Sequence, residues 1–243
     1  MASRSRMAIP RLLFAAAAAL VFPCHSTAKD NGLSADEQSL LRQRADTGNS
    51  QTLSVDSPDG HGLLEHPSRP IAPDTPELPA LIADMDRTVK AQHGAGLAAV
   101  QIGIPVRVAL LRRADSGEFE AFLNPERIEA SAEQTGAWER CLSVPWGYRY
   151  TERPVRITVR YQTLEGDNRS KTLTGDEAVV FQQELDHLDG KLLSGDHDHR
   201  WFIPEDKMTA FISGLNQQCP DLARADCRAL AKSRWEAWAA LAH

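Results

Sequence analysis

The sequence predicts a single domain of mixed helices and strands, of the α+β class, on three observations. The chain has 243 residues, 42% hydrophobic and 25% charged, enough for one well-cored domain with appendages and too few for two large ones. Residues 106–111, 119–123 and 155–161 are short apolar or alternating stretches bounded by turn signals, as strands are. On either side of them lie two segments whose apolar residues recur at spacings of three and four, the period of one helix face.

Residues 1–28 have a different character. Arg4, Arg6 and Arg11 precede an apolar run from Leu12 to Phe22, and Ser26, Thr27 and Ala28 follow it. Basic, then apolar, then small is the order of a secretory signal peptide, and the run is shorter than the about 20 residues that a bilayer span needs. The expected location is secreted or periplasmic, with the leader removed, no membrane span left and the chain a monomer. Without residues 1–28 the chain loses three arginines and no acid, leaving 27 − 3 = 24 basic residues against 33 acidic ones, a formal charge of −9. Such a balance argues against a nucleic-acid partner. Cys24 would leave with the leader; a lipid anchor there fits less well, because Pro23 stands where a small residue is wanted. Cys219 and Cys227, eight apart, suit a disulfide in an oxidising compartment, the alternative being two separate buried thiols. Cys141 is then left over.

Residues 29–61 are polar, with turn signals at Asn31-Gly32, Gly48-Asn49-Ser50 and Ser57-Pro58-Asp59-Gly60, and are expected to form a linker or loose arm before a domain at 62–200. Within that domain, residues 76–93 carry Leu78, Leu81, Ile82, Met85 and Val89 on one helical stripe, which Gly94 and Gly96 stop. The first two strand segments are separated by a turn at Asp115-Ser116-Gly117; in the third, Arg160 faces away from the buried side, and residues 171–173 add an edge. The clearest helix spans residues 175–188, carrying Ala178, Val179, Phe181, Leu185 and Leu188 and closed by Gly190. Residues 201–243 read as a helical extension whose Trp235, Trp238 and Leu241 form a stripe packed on the domain. His197 and His199 are expected in an exposed polar loop rather than a second metal site, since no other ligands cluster near them in sequence.

Three motifs occur in order: Gly94-Ala95-Gly96-Leu97-Ala98-Ala99-Val100-Gln101-Ile102-Gly103, then Glu139-Arg140-Cys141-Leu142-Ser143-Val144-Pro145, then Gln183-Glu184-Leu185-Asp186-His187-Leu188-Asp189-Gly190. Taken singly, a lone cysteine is usually a small buried hydrophobe, a lone helical histidine structural and a Glu-x-Asp-His run a solvated helix face. Together, and over residues 62–200, they resemble peptide deformylase. The resemblance implies a peptide deformylase-like fold, with mixed, mostly antiparallel sheets around a central metal-site helix. It also implies a hydrolase that removes the formyl group from N-formylmethionyl peptides and releases formate. Its cofactor would be one divalent ion, Fe2+ or Zn2+, and its partner an N-formylated peptide.

Carried over residue by residue, the resemblance makes Cys141 and His187 metal ligands, Glu184 the general acid and base, and the Gln101 side chain with the Leu142 backbone N–H the oxyanion donors. Gly94, Gly96 and Leu97 would contact substrate. The chemistry suits these residue types, because an ion with three protein ligands and an open position lowers the pKa of a bound water to about 7. Two positions depart from the family's pattern. Gln183 stands where a second histidine ligand is expected, and its amide oxygen, harder than imidazole, should bind the ion more weakly. Arg140 replaces the glycine before the metal cysteine. The competing reading is a catalytically impaired protein of the same fold that grips peptide N-termini.

Overall fold

The computed structural model describes residues 31–195 and 198–241; the leader read at 1–28, Cys24 and His197 lie outside them. The helices are α1 (Ala35–Thr47), α2 (Pro58–Leu64), α3 (Leu78–Ala91), α4 (Gly175–Leu188), α5 (Glu205–Gln218) and α6 (Ala225–Leu241). The strands are β1 (Gly96–Ala98), β2 (Val108–Arg112), β3 (Phe119–Ala130), β4 (Gln134–Cys141), β5 (Val144–Pro154), β6 (Arg156–Gln162) and β7 (Asn168–Thr174). Five of them form one antiparallel sheet in the order β1-β2-β3-β6-β7, and β4 and β5 pair as a separate hairpin.

The sheet is covered on both faces, which is why β2 reads as continuous Val-Ala-Leu-Leu. Val108 and Leu110 join Leu78, Leu81, Met85 and Val89 of α3 in one cluster. Ala109 and Leu111 join Phe122, Ile157 and Val159 and, from α4, Ala178, Phe181, Leu185 and Leu188 in the other. Each fully buried Leu or Phe contributes about 1.5–3 kcal/mol, so α4 is held firmly in register over the sheet. The same alternation sorts β1: Leu97 goes to the α3 side and Ala98 to the α4 side.

Residues 31–61 are not the loose arm their polarity predicts. Ser34 and Glu37 form a capping box, with bonds of 3.3 and 2.7 Å, and Gly48 ends α1 in a left-handed conformation at φ 64°. What α1 buries besides Leu41 is Arg44, whose guanidinium meets Asp84 at 2.5 Å and Thr88 at 3.0 Å. A helix anchored through a buried charge carries little hydropathy signal. The next residues brace the site region: Leu53 N–H donates to the Gln101 carbonyl at 2.7 Å, Thr52 Oγ1 to the Leu142 carbonyl at 2.9 Å and Val55 N–H to the Ser143 carbonyl at 2.9 Å.

The β4–β5 hairpin was not expected either, because charged Glu139, Arg140, Arg149 and Arg153 interrupt its alternation. It is covered by α5 and α6, through Tyr150, Ile203, Met208, Leu215, Ala231 and Trp235. Trp235 and Trp238 pack there and donate their indole N–H groups to the Trp201 and Phe202 carbonyls at 2.8 and 3.1 Å. Leu241 leaves the expected stripe and is 84% exposed; six residues past Trp235 it points about 120° away, at 3.6 residues per turn. His199 is exposed and stacks on Trp146 at 3.7 Å. Cys219 and Cys227 are neighbouring free thiols rather than a bridge.

Candidate metal and catalytic site

Cys141 pairs with Val144 across the hairpin, so Leu142 and Ser143 form the turn between β4 and β5. Facing it, α4 presents Gln183, Glu184 and His187; residues four apart share a helix face. Cys141 Sγ and His187 Nε2 lie 3.1 Å apart, both buried, and Ser143 N–H donates to the sulfur at 3.4 Å. Glu184 is buried beside them, its Oε2 without a hydrogen-bond partner among the described residues. A Cβ on Gly96 would fall 2.6 Å from Glu184 Oε1, so only glycine lets β1 run this close to the carboxylate.

Burial dominates the electrostatics, because a low-dielectric site disfavours charge. It pushes the Cys141 thiol up to about 12, against the opposing Ser143 N–H. It raises Glu184 to about 8, helped by the charge of Glu139 and opposed by Arg153. It lowers His187 to about 4, with Arg153 adding to the effect, so the imidazole is neutral at physiological pH.

Two glutamine amides face this site, and each is oriented by its partner. Gln101 Oε1 accepts from Ala98 N–H at 2.8 Å, so its NH2 end is turned toward Ser143 Oγ at 3.3 Å and Cys141 Sγ at 3.9 Å. Gln183 Nε2 donates to Glu139 Oε2 at 2.9 Å. A carboxylate only accepts, so the nitrogen is committed to Glu139 and the carbonyl oxygen is the end left for the cavity. Glu139 is itself gripped by Arg153 at 2.5 and 2.9 Å, and Arg153 reaches on to Asp186 at 2.7 Å. Glu139 and Arg153 are nearly buried, and breaking such a pair costs about 3–5 kcal/mol.

The donor set suits a divalent ion. Coordination at about 2.3 Å to sulfur and 2.0 Å to nitrogen needs the two atoms only a few tenths of an ångström further apart than they stand. A thiol this buried holds its proton unless a cation takes its place, the imidazole is already neutral, and Gln183 offers an oxygen.

Gly94 packs against Leu142 and Val89. Leu97, expected to contact substrate, does not: its side chain lies in the core beneath α3, because strand alternation turns it away from the face on which Gly96 meets Glu184. Arg140 bonds the exposed Glu205 at 3.3 Å while also lining the two clefts beside β1, and its φ is not in the left-handed region, so no glycine is required there on backbone grounds. The sequence alone assigned no role to Thr52, Ser143 or Arg153; Arg153 stands opposite Thr135 rather than Glu139 in the hairpin register, so its pairing with Glu139 becomes visible only in the structure.

β1 is the sheet edge. Arg112 N–H donates to the Ala95 carbonyl, so residues 95 and 97 bond toward β2 and Gly96 between them directs its N–H and C=O to the open side. Next to it a cleft of ≈ 810 Å³ is lined by Val155, Val179, Val180, Trp138 and Gln183, and a smaller one of ≈ 180 Å³ by Gly94, Gly96, Gln101 and Glu184.

A family model described as polypeptide deformylase matches residues 57–200. The chain belongs to the peptide deformylase family. A peptide deformylase of Caulobacter vibrioides is 42% identical over 163 residues, covering 66% of this chain and 92% of the relative. Among solved structures, the peptide deformylase from Thermotoga maritima is 34% identical with a TM-score of 0.54, over 59% of this chain and 93% of that one. A class I type b peptide deformylase from Acinetobacter baumannii with Met-Ala-Ser bound is 28% identical with a TM-score of 0.52, over 58% and 93%. The α+β fold with mostly antiparallel sheets is the family's, while α1, α5 and α6 fall outside the family match.

Proposed function

We propose that this family member hydrolyses the formamide at the N-terminus of formylated peptides, releasing formate, with one divalent ion held by Cys141, His187 and Gln183. The observation that carries the reading is the convergence of Cys141 Sγ and His187 Nε2 at 3.1 Å beside the buried Glu184. The ion, Fe2+ or Zn2+, would supply Lewis acidity and lower the pKa of a water to about 7.

The chain's own groups do the rest. The peptide pairs along the free edge of β1 through the Gly96 backbone, and its first side chain enters the cleft lined by Val155, Val179 and Val180. Glu184 takes the proton of the attacking water and returns it to the leaving amine nitrogen. Burial raises its pKa in the metal-free site, and a cation bound beside it would bring that pKa back down, leaving a carboxylate able to take the proton and give it up again. Gln101 Nε2 and Leu142 N–H stabilise the oxyanion that forms on the formyl carbon's oxygen. We further propose export, supported by the basic, apolar, small order of residues 1–28. Among the described residues no helix is long and apolar enough to cross a membrane.

The test is formate release from a formyl-Met peptide by chain purified anaerobically, with metal per chain measured alongside. Turnover that disappears in Glu184→Ala supports the reading. A metal-loaded wild type that is inert while Gln183→His turns over would replace it with peptide binding alone.

A further inference from the structure

Cys219 and Cys227 take no part in the chemistry above, yet they face one another. Cys219 caps the end of α5 and Cys227 lies in the first turn of α6. Their sulfurs stand within 4.8 Å, at 8% and 0% exposure. The Asp226 carboxylate is as close, but Arg224 already holds it at 2.6 Å, which leaves the two sulfurs to each other.

The turn between them touches the cleft. The Leu222 carbonyl accepts from Gly136 N–H of β4 at 3.0 Å, and Ala223 lines the large cleft with Gly136, Trp138 and Gln183. Just beyond Cys227, Arg228 donates to the Gln134 carbonyl at 2.8 Å. The segment that joins the two thiols therefore supports one edge of β4 and one wall of the cleft.

We propose that Cys219 and Cys227 are a redox pair whose oxidation to a disulfide closes this turn and fixes the cleft wall. Closing the bond brings the sulfurs to about 2.0 Å. One protein thiolate attacks a small-molecule disulfide, forming a mixed disulfide and releasing one small thiol; the second protein thiolate then displaces the other half. In sum, two protein thiols give up two electrons and two protons, and the small disulfide becomes two thiols. Cys141 belongs to a different core cluster and is not part of the pair. The bond is independent of the deformylase reading, and only its effect on the cleft rests on it.

The test uses the full chain, reduced and then equilibrated with oxidised glutathione. Peptide mapping by mass spectrometry should find a single linked peptide joining Cys219 to Cys227. Amide exchange of residues 220–226 should slow by about tenfold, as loss of a local opening would produce, and Cys227→Ala should abolish both changes. If that variant does not fold, mapping of the wild type decides. Glutathione adducts alone, no reaction, or bonds to Cys141 or Cys24 overturn the pair; a linked peptide with unchanged exchange overturns the locking of the wall. Formate release followed in the same samples separates this outcome from failure of the deformylase reading.

Discussion

Gln101, in the turn after β1, and Gln183, on α4, bring the same amide to one cavity and turn it in opposite senses. Gln101 is set by a donor, Ala98 N–H, so it shows the cavity its NH2. Gln183 is set by an acceptor, Glu139, which takes its nitrogen and leaves its oxygen unclaimed by that bond. One therefore suits a developing anion and the other a cation. The lesson is that a residue's role in a site is fixed by the group behind it as much as by its own type, which is why Glu139 and Arg153 belong in the functional description.

The group between the two amides gives the largest expected effect. Glu184→Gln should lower kcat by about 10²–10⁴ while the metal content stays unchanged; loss of metal as well would mean that the carboxylate holds the ion rather than the proton. Gln101→Leu should cost about 10²–10³ in kcat, again with metal retained. Gln183→Leu should do the reverse, weakening metal affinity by about 10- to 100-fold in a chelator competition, with Gln183→His tightening it. Equal metal affinity in Gln183→Leu and wild type would sink the assignment of its oxygen to the ion.

The smallest effect is on stability, and its sign follows from two shifts that oppose each other. A carboxyl raised to about 8 keeps its proton in the folded state and so loses stability as pH rises from its unfolded value toward 8. An imidazole lowered to about 4 stays neutral when folded and so gains stability as pH rises from 4 toward 6.5. Of the two groups, both act and oppose each other below 6.5, and between 6.5 and 8 only Glu184 acts. The melting temperature of metal-free protein should therefore fall between about pH 6.5 and 8, and the fall should be absent in Glu184→Gln.

Much of the frame was readable in advance. The α4 helix announced itself through Ala178, Phe181, Leu185 and Leu188, and α3 through Leu78, Leu81, Met85 and Val89, because a face that buries apolar side chains must repeat them at the helix period. Elements held by buried polar contacts were not readable in the same way. α1 rests on Arg44 with Asp84, and the β4–β5 hairpin on Glu139 with Arg153; a charge that will be buried looks like a surface charge until its partner is known. The Ser34 and Glu37 box was a local signal that could have marked α1.

By itself the sequence determined the list of reactive groups, Cys141, Glu184, His187, Gln101 and Gln183, their order, and the substitution at position 183. Only the tertiary structure decided that a sulfur and an imidazole 46 positions apart meet at 3.1 Å, that Leu97 faces the core, and which end of each amide is taken by a hydrogen-bond partner. Side-chain identity is local information, whereas direction and proximity come from the packing of α4 on the sheet and from hydrogen-bond partners distant in the chain.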